Sequence, residues 1–154
     1  MLNYYDYDIY LTEIPHEISL GFSITGCPLR CKGCQWEVLW DRDKGEPLTL
    51  DVFSGICSKN REASCILFFG GEWDFHLMAL LKFAKENHPR FNLALYSGQE
   101  LSFFEDTEYM KLLDYLKVGQ YVEELGGLQS PSTNQRLFRL EDGKIAEEYF
   151  LWRH

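Results

Sequence analysis

Residues 64–69, "SCILFF", form an unbroken apolar run that stops at "GGEWD". A run this short with no polar side is the pattern of a strand buried on both faces of a parallel sheet. The flanking segments carry the helical period instead. In "TLDVFSGICSKN" (49–60), Val52, Phe53, Ile56 and Cys57 fall on one face, with Thr49 as the capping residue. In "DFHLMALLKFAKENH" (74–88), Asp74 is the expected N-cap and Leu77, Leu80, Leu81 and Ala84 make an apolar stripe. "EISLGFSIT" (17–25), "FNLALYSG" (91–98) and "YLKVG" (115–119) read as further strands, and "DTEYMKLLD" (106–114) as a short helix. Strands alternating with helices at this rhythm imply βαβ units and a parallel sheet.

A closed eight-fold (β/α) barrel takes ~250 residues, and this chain has 154. The expected fold class is therefore α/β, an open partial (β/α) barrel with a parallel sheet and a C-terminal β-hairpin. One domain is expected over 1–154, its core over about 17–119, its loop and hairpin over 120–154. Residues 41–47, "DRDKGEP", read as a polar connection, and 120–134 as a loop rich in Gly, Ser and Pro. The following "RLFRLEDGKIAEEYFLW" reads as the hairpin, turning at Asp142-Gly143. "YYDYD" (4–8) reads as a solvated N-terminal edge.

The apolar content, 45% with 16% aromatic, is that of a globular chain. A net charge of -9 with no basic run argues against binding nucleic acid through its backbone. No stretch approaches the ~18 apolar residues of a membrane span. The N-terminal segment lacks the basic and apolar regions of a signal peptide. The expected location is cytoplasmic, where thiols stay reduced and a tight cysteine cluster suits metal better than disulfides.

Such a cluster lies at "GCPLRCKGCQW" (26–36), where Cys27, Cys31 and Cys34 make a C-x3-C-x2-C pattern. Structural zinc wants four ligands, usually as spaced pairs. Cys57 on a helix face and Cys65 in a buried strand offer no such pair and read as small buried hydrophobes. His16, His76, His88 and His154 are scattered. Three cysteines also suit a [4Fe–4S] cluster with one iron left open to an outside ligand, whereas electron-transfer clusters take four. Spacing alone leaves both the zinc site and the open cluster standing.

The cysteine pattern after the first strand, with "GGE" at the end of the next, resembles the radical S-adenosylmethionine (SAM) superfamily. The "GC…C-x-GC" form and the tail "YLKVGQYVEELGGLQSPSTNQRLF" are similar, within it, to the activating proteins of anaerobic (class III) ribonucleotide reductases, over about residues 13–140. The resemblance implies that Cys27, Cys31 and Cys34 ligate a [4Fe–4S] cluster whose fourth iron SAM chelates. Gly70, Gly71 and Glu72 would bind the SAM amino group. Ser97 and Lys117, at strand ends, read as further SAM contacts or as turn and cap residues. No catalytic residue beyond the cluster is implied, and no Ser-His-Asp or Cys-His arrangement is visible.

The implied reaction is reductive cleavage of SAM, followed by hydrogen abstraction from a glycine of the reductase. The implied partners are that reductase and a one-electron donor such as flavodoxin or ferredoxin. The pattern departs from the family at Gly33, where many members carry an aromatic, at "QWEVLW", where many have an aromatic-Asn pair, and at "GGEW". Trp36 and Trp40 read as cluster cover or plain packing, and the 126–136 loop as a docking segment or a polar turn. Alternatives are another small radical SAM enzyme, a zinc-binding interaction module, or a ferredoxin-like carrier.

Overall fold

The structure, a computed structural model, describes residues 2–34 and 37–153. Its strands are β1 (Asn3–Tyr10), β2 (Ser19–Ile24), β3 (Glu46–Pro47), β4 (Cys65–Phe69), β5 (Asn92–Tyr96), β6 (Tyr115–Val118), β7 (Arg136–Glu141) and β8 (Lys144–Tyr149). Its helices are α1 (Leu50–Lys59), α2 (His76–Asn87), α3 (Leu101–Phe104) and α4 (Tyr109–Leu112). All the strands share one open sheet, in the order β3-β1-β2-β4-β5-β6-β7-β8.

The parallel barrel expected from the sequence is present only in the middle. β2, β4, β5 and β6 are parallel neighbours, whereas β1 and β3 on one flank and β7 and β8 on the other pair antiparallel. The sheet is mixed and does not close. The reason lies in the connections: a parallel neighbour needs a crossover of a dozen or more residues, usually helical. The segment between β1 and β2 contains no helix, so the chain turns back beside itself. The expected hairpin forms as β7 and β8, with Asp142 and Gly143 both at positive φ.

Because each parallel strand lies beside its predecessor, the crossovers wind one way and the two faces of the sheet differ. Leu20, Phe22 and Ile24 of β2, Ile66 and Phe68 of β4, Leu93 and Leu95 of β5, and Leu116 and Val118 of β6 belong to the main core with the helices. The alternate residues, Cys65, Leu67, Ala94 and Tyr115, form a smaller cluster on the opposite face. Phe22, Phe53 and Phe68 pack mutually at 5.4–5.9 Å between ring centroids. Each is fully buried, and cutting one to alanine costs about 3–5 kcal/mol.

Thr49 caps α1 as expected, its hydroxyl accepting the Val52 N–H. Phe53, Ile56 and Cys57 are buried, but Val52 is 38% exposed and lies off the apolar face. On α2, Leu77, Leu80, Leu81 and Ala84 are all buried. The cap position falls on Phe75 rather than Asp74, although Asp74 still accepts the His76 N–H at 2.9 Å. The connection over 41–47 contains a 3-10 turn (Arg42–Lys44) and β3 rather than plain coil. The "YYDYD" edge is solvent-facing but is part of β1.

At the amino ends of the parallel strands, buried Glu17 accepts hydrogen bonds from Ser64 Oγ (2.6 Å), Asn92 Nδ2 (2.6 Å) and Tyr115 OH (2.7 Å). One carboxylate thus ties the feet of β2, β4, β5 and β6. No helix among the described residues is long and apolar enough to cross a membrane.

Candidate functional site

The carboxyl ends of β2, β4, β5 and β6 meet at one rim, where open parallel sheets place their ligands. The cysteine loop leaves β2 through Gly26, at φ +90°. The Gly26 and Cys27 N–H groups both donate to the Leu39 carbonyl, at 2.6 and 3.1 Å. Leu39 is buried in the 3-10 turn Glu37–Trp40, so the segment after the cysteines anchors the segment before them. The Cys34 N–H donates to the Cys31 carbonyl at 3.1 Å, with Arg30 and Gly33 at positive φ. A Cβ on Gly33 would lie 2.8 Å from the Glu123 carboxyl carbon. That side chain can swing aside, so it is the φ of +74° that accounts for glycine where an aromatic is commoner.

All five cysteines are free thiols. Burial pushes the Cys27 thiol up, while backbone N–H groups of Leu29 and Arg30 pull it down. Those donors suit a thiolate held in place. Cys57 and Cys65 are wholly buried elsewhere, and burial drives the Cys57 thiol to about 12.

Across the rim, Gly70 (φ +91°) donates its N–H to the Tyr96 carbonyl at 2.9 Å. A Cβ there would lie 2.7 Å from the Trp73 ring, so only glycine fits both conformation and space. Gly71 (φ +109°) instead faces Leu77 and Ile24, and its carbonyl accepts the Asp74 N–H at 3.0 Å. The pair turns Glu72 inward. Glu72 is 6% exposed, and its Oε2 has no hydrogen-bond partner. Burial raises its carboxyl, opposed by hydrogen bonds to the backbone and Ser97 and by the Lys117 charge.

Ser97 is buried and its Oγ accepts the Gln99 N–H at 2.9 Å, so it is a turn residue as well as part of the wall. Lys117 is also buried, its Nζ donating to the carbonyls of Ser97 (3.1 Å) and Gly119 (3.2 Å).

These groups enclose a cavity of about 500 Å³, within the range of small-molecule sites. Cys27, Cys31 and Cys34 line one part of it, and Gly70, Glu72, Ser97 and Lys117 another. Of the site residues read from the sequence, Gly71 alone is not in the lining. The aromatic pairs Tyr10–Phe69 (4.9 Å) and Phe69–Tyr96 (5.5 Å) pack at the same wall. The Tyr96 hydroxyl donates to the Glu13 carbonyl.

Trp40 lines the cavity, with the Arg30 guanidinium 5.9 Å from its ring centroid. Gln35 and Trp36 lie outside the described residues. From the 126–136 loop, Gly127, Gln129 and Gln135 reach the cavity, while Ser130, Ser132 and Thr133 bond within the loop.

Sequence reasoning missed Tyr10, Trp73, Tyr121 and Leu151, which also line the cavity. Trp73 adjoins the "GGE" segment and was findable there. Tyr10 and Leu151 arrive through pairing of the sheet flanks, which leaves no local signal.

The residues present fit an iron–sulfur cluster with a small cationic ligand. Three thiols from one loop face a cavity with spare volume, and a buried carboxylate offers an unused oxygen to an ammonium. Among the described residues, no three His, Cys, Asp or Glu side chains close around a single-ion position.

The 4Fe-4S single cluster domain family matches residues 18–138. The anaerobic ribonucleoside-triphosphate reductase-activating protein of Enterobacteria phage T4 is 24% identical over 140 residues, spanning 85% of each chain. No solved structure matches the chain.

Proposed function

The chain belongs to the 4Fe-4S single cluster domain family, and from that premise we propose that it is a radical SAM activase that generates a glycyl radical on an anaerobic ribonucleotide reductase. The observation that carries the reading is the shared cavity. The three cysteines open onto the same space as the buried, partly unpaired carboxylate of Glu72.

In this reading Cys27, Cys31 and Cys34 would hold the [4Fe–4S] cluster and leave one iron open to SAM. Bound there, the cluster would supply one-electron chemistry for the reductive cleavage of SAM. The protein's part is to bind, orient and exclude. Glu72 accepts from the SAM ammonium, and Gly70 lets the backbone turn beneath it. Ser97 and Lys117 complete that wall. Tyr10, Phe69 and Tyr96 keep water from the apolar side, protecting a radical that would otherwise be quenched.

No general acid or base is needed. The open sheet supports a macromolecular substrate, because a glycine carried by another protein must reach the cavity. The phage relative's name supplies the partner class. The electron donor is a flavodoxin- or ferredoxin-type protein, and the setting is the cytoplasm.

The test uses anaerobically reconstituted protein reduced with dithionite. Its paramagnetic resonance is recorded with and without SAM, and 5′-deoxyadenosine is assayed. A [4Fe–4S]⁺ signal that changes with SAM, with deoxyadenosine formed, is the expected result. Zinc without iron, or a cluster indifferent to SAM, overturns it. Glycyl-radical formation on an added anaerobic reductase then tests the partner.

A further inference from the structure

Lys117 is 8% exposed, yet it brings an amine head group to the cavity wall from β6. Its two fixed hydrogen bonds go to the backbone carbonyls of Ser97 and Gly119, which are dipoles and do not neutralise it. A buried ammonium is costly unless negative charge stands near. The groups whose negative forms act on it are, strongest first, Glu72 and then, once deprotonated as ligands, Cys31, Cys27 and Cys34. Burial pulls its ammonium down to about 8, and those four groups push the other way. Its two carbonyl partners use two of three N–H donors and hold the head group on the cavity wall that it shares with the cysteines.

Three thiolates carry more negative charge than an oxidised [4Fe–4S] core carries positive, and one-electron reduction adds another negative charge. Net charge and neighbouring hydrogen bonds are the terms by which a protein sets a cluster's potential.

We propose that Lys117 is the built-in countercharge of the cluster, and that its buried ammonium raises the midpoint potential at which the cluster accepts an electron from a low-potential one-electron donor. This rests on the cluster assignment above. It gives Lys117 a task distinct from contacting SAM, one that operates before SAM binds. Among the described residues, no other lysine or arginine lines this cavity.

The experiment is a mediated dithionite titration of the reconstituted full chain without SAM, followed by paramagnetic resonance, for wild type, K117M and K117R. K117M removes the charge and keeps the stem, so its midpoint should be more negative. At an effective dielectric near 20, a unit charge about 12 Å away changes the reduction equilibrium by about tenfold, which is about 59 mV for one electron, and a closer charge by more. K117R keeps the charge and should stay with wild type. Iron and sulfide content of the wild type reports separately on the cluster assignment. A wild type with no iron sinks that assignment. Loaded clusters with equal midpoints in wild type and K117M sink the countercharge alone, as does a K117R midpoint as low as that of K117M.

K117M strands the Glu72 carboxylate, and where that prevents folding or loading, E72Q is compared with E72Q/K117M. In E72Q the lysine faces the cluster alone, and in E72Q/K117M neither buried side-chain charge remains. The double variant should lie below E72Q by a similar shift, and equal midpoints overturn the proposal.

Discussion

Replacing Glu72 by Gln keeps the length and planar head of the side chain and removes its charge. Two opposite effects follow from the same burial. In the cofactor-free protein the carboxylate is 6% exposed with one oxygen unpaired, and its carboxyl is raised above the ordinary value, chiefly by burial. A folded-state value above the unfolded one means that the ionised form is penalised in the folded protein once the pH exceeds it. Glutamine escapes that penalty. An unsatisfied buried polar group costs about 1–3 kcal/mol, and glutamine retains some of it, so E72Q should gain roughly 1 kcal/mol.

With SAM present the sign reverses. A hydrogen bond to a charged partner is worth about 1.5–3 kcal/mol, so E72Q should bind SAM roughly 10- to 150-fold more weakly. Equilibrium dialysis on reconstituted protein of matched iron content measures the second effect. Urea unfolding of the cofactor-free chain measures the first. Unchanged SAM affinity, or a clear loss of stability without SAM, would refute the reasoning, because either means that the carboxylate is already satisfied by the protein.

At the other end of the sheet, Glu17→Ala strands the hydroxyls of Ser64 and Tyr115 and the amide of Asn92. Urea unfolding should show a loss of about 3 kcal/mol, roughly 1 kcal/mol for each stranded neutral donor, and a loss below about 1 kcal/mol would mean that the three donors find other partners. In the cluster-free protein, iodoacetamide at about pH 8 should modify Cys27 and Cys34, which are partly exposed. Cys57, buried and held up to about 12, and the equally buried Cys65 should be spared. Peptide mass spectrometry reads this directly, and early labelling of Cys57 or Cys65 would contradict their burial.

The parts legible in the sequence are those whose signal is local. The run ending at Phe69 needs two apolar faces and gets them from the helix-side core around Ile66 and Phe68 and from the opposite cluster of Leu67 with Ile14 and Leu137. The cysteine spacing needs only one loop, and Gly70 and Glu72 sit where that strand ends. The parts that escaped depend on partners far along the chain. β1 carries tyrosines and aspartates in a pattern that reads as solvent edge, and it becomes a strand because β2 offers it an antiparallel partner. Tyr10 reaches the cavity through that pairing. It packs over Gly21, where a Cβ would come within 2.6 Å of its ring. The Asp74 cap shifted by one residue because the Gly70–Gly71 turn extends further than the apolar stripe of α2 reveals.

A sheet left unclosed has two free edges, and each edge is a template for adding a strand from another molecule. The arrangement that admits a large substrate therefore also carries a hazard of self-association, and both edges are built against it. On one side the outermost strand is β3, two residues long, one of them Pro47, which has no N–H to offer. On the other, β8 presents Lys144, Glu147 and Glu148, with Glu147 and Glu148 already paired to Arg139 and Arg136 of β7. A copy of the same edge brought alongside would have to desolvate these charged side chains. The blunted margins let the sheet stay open to a chosen partner without becoming sticky toward itself.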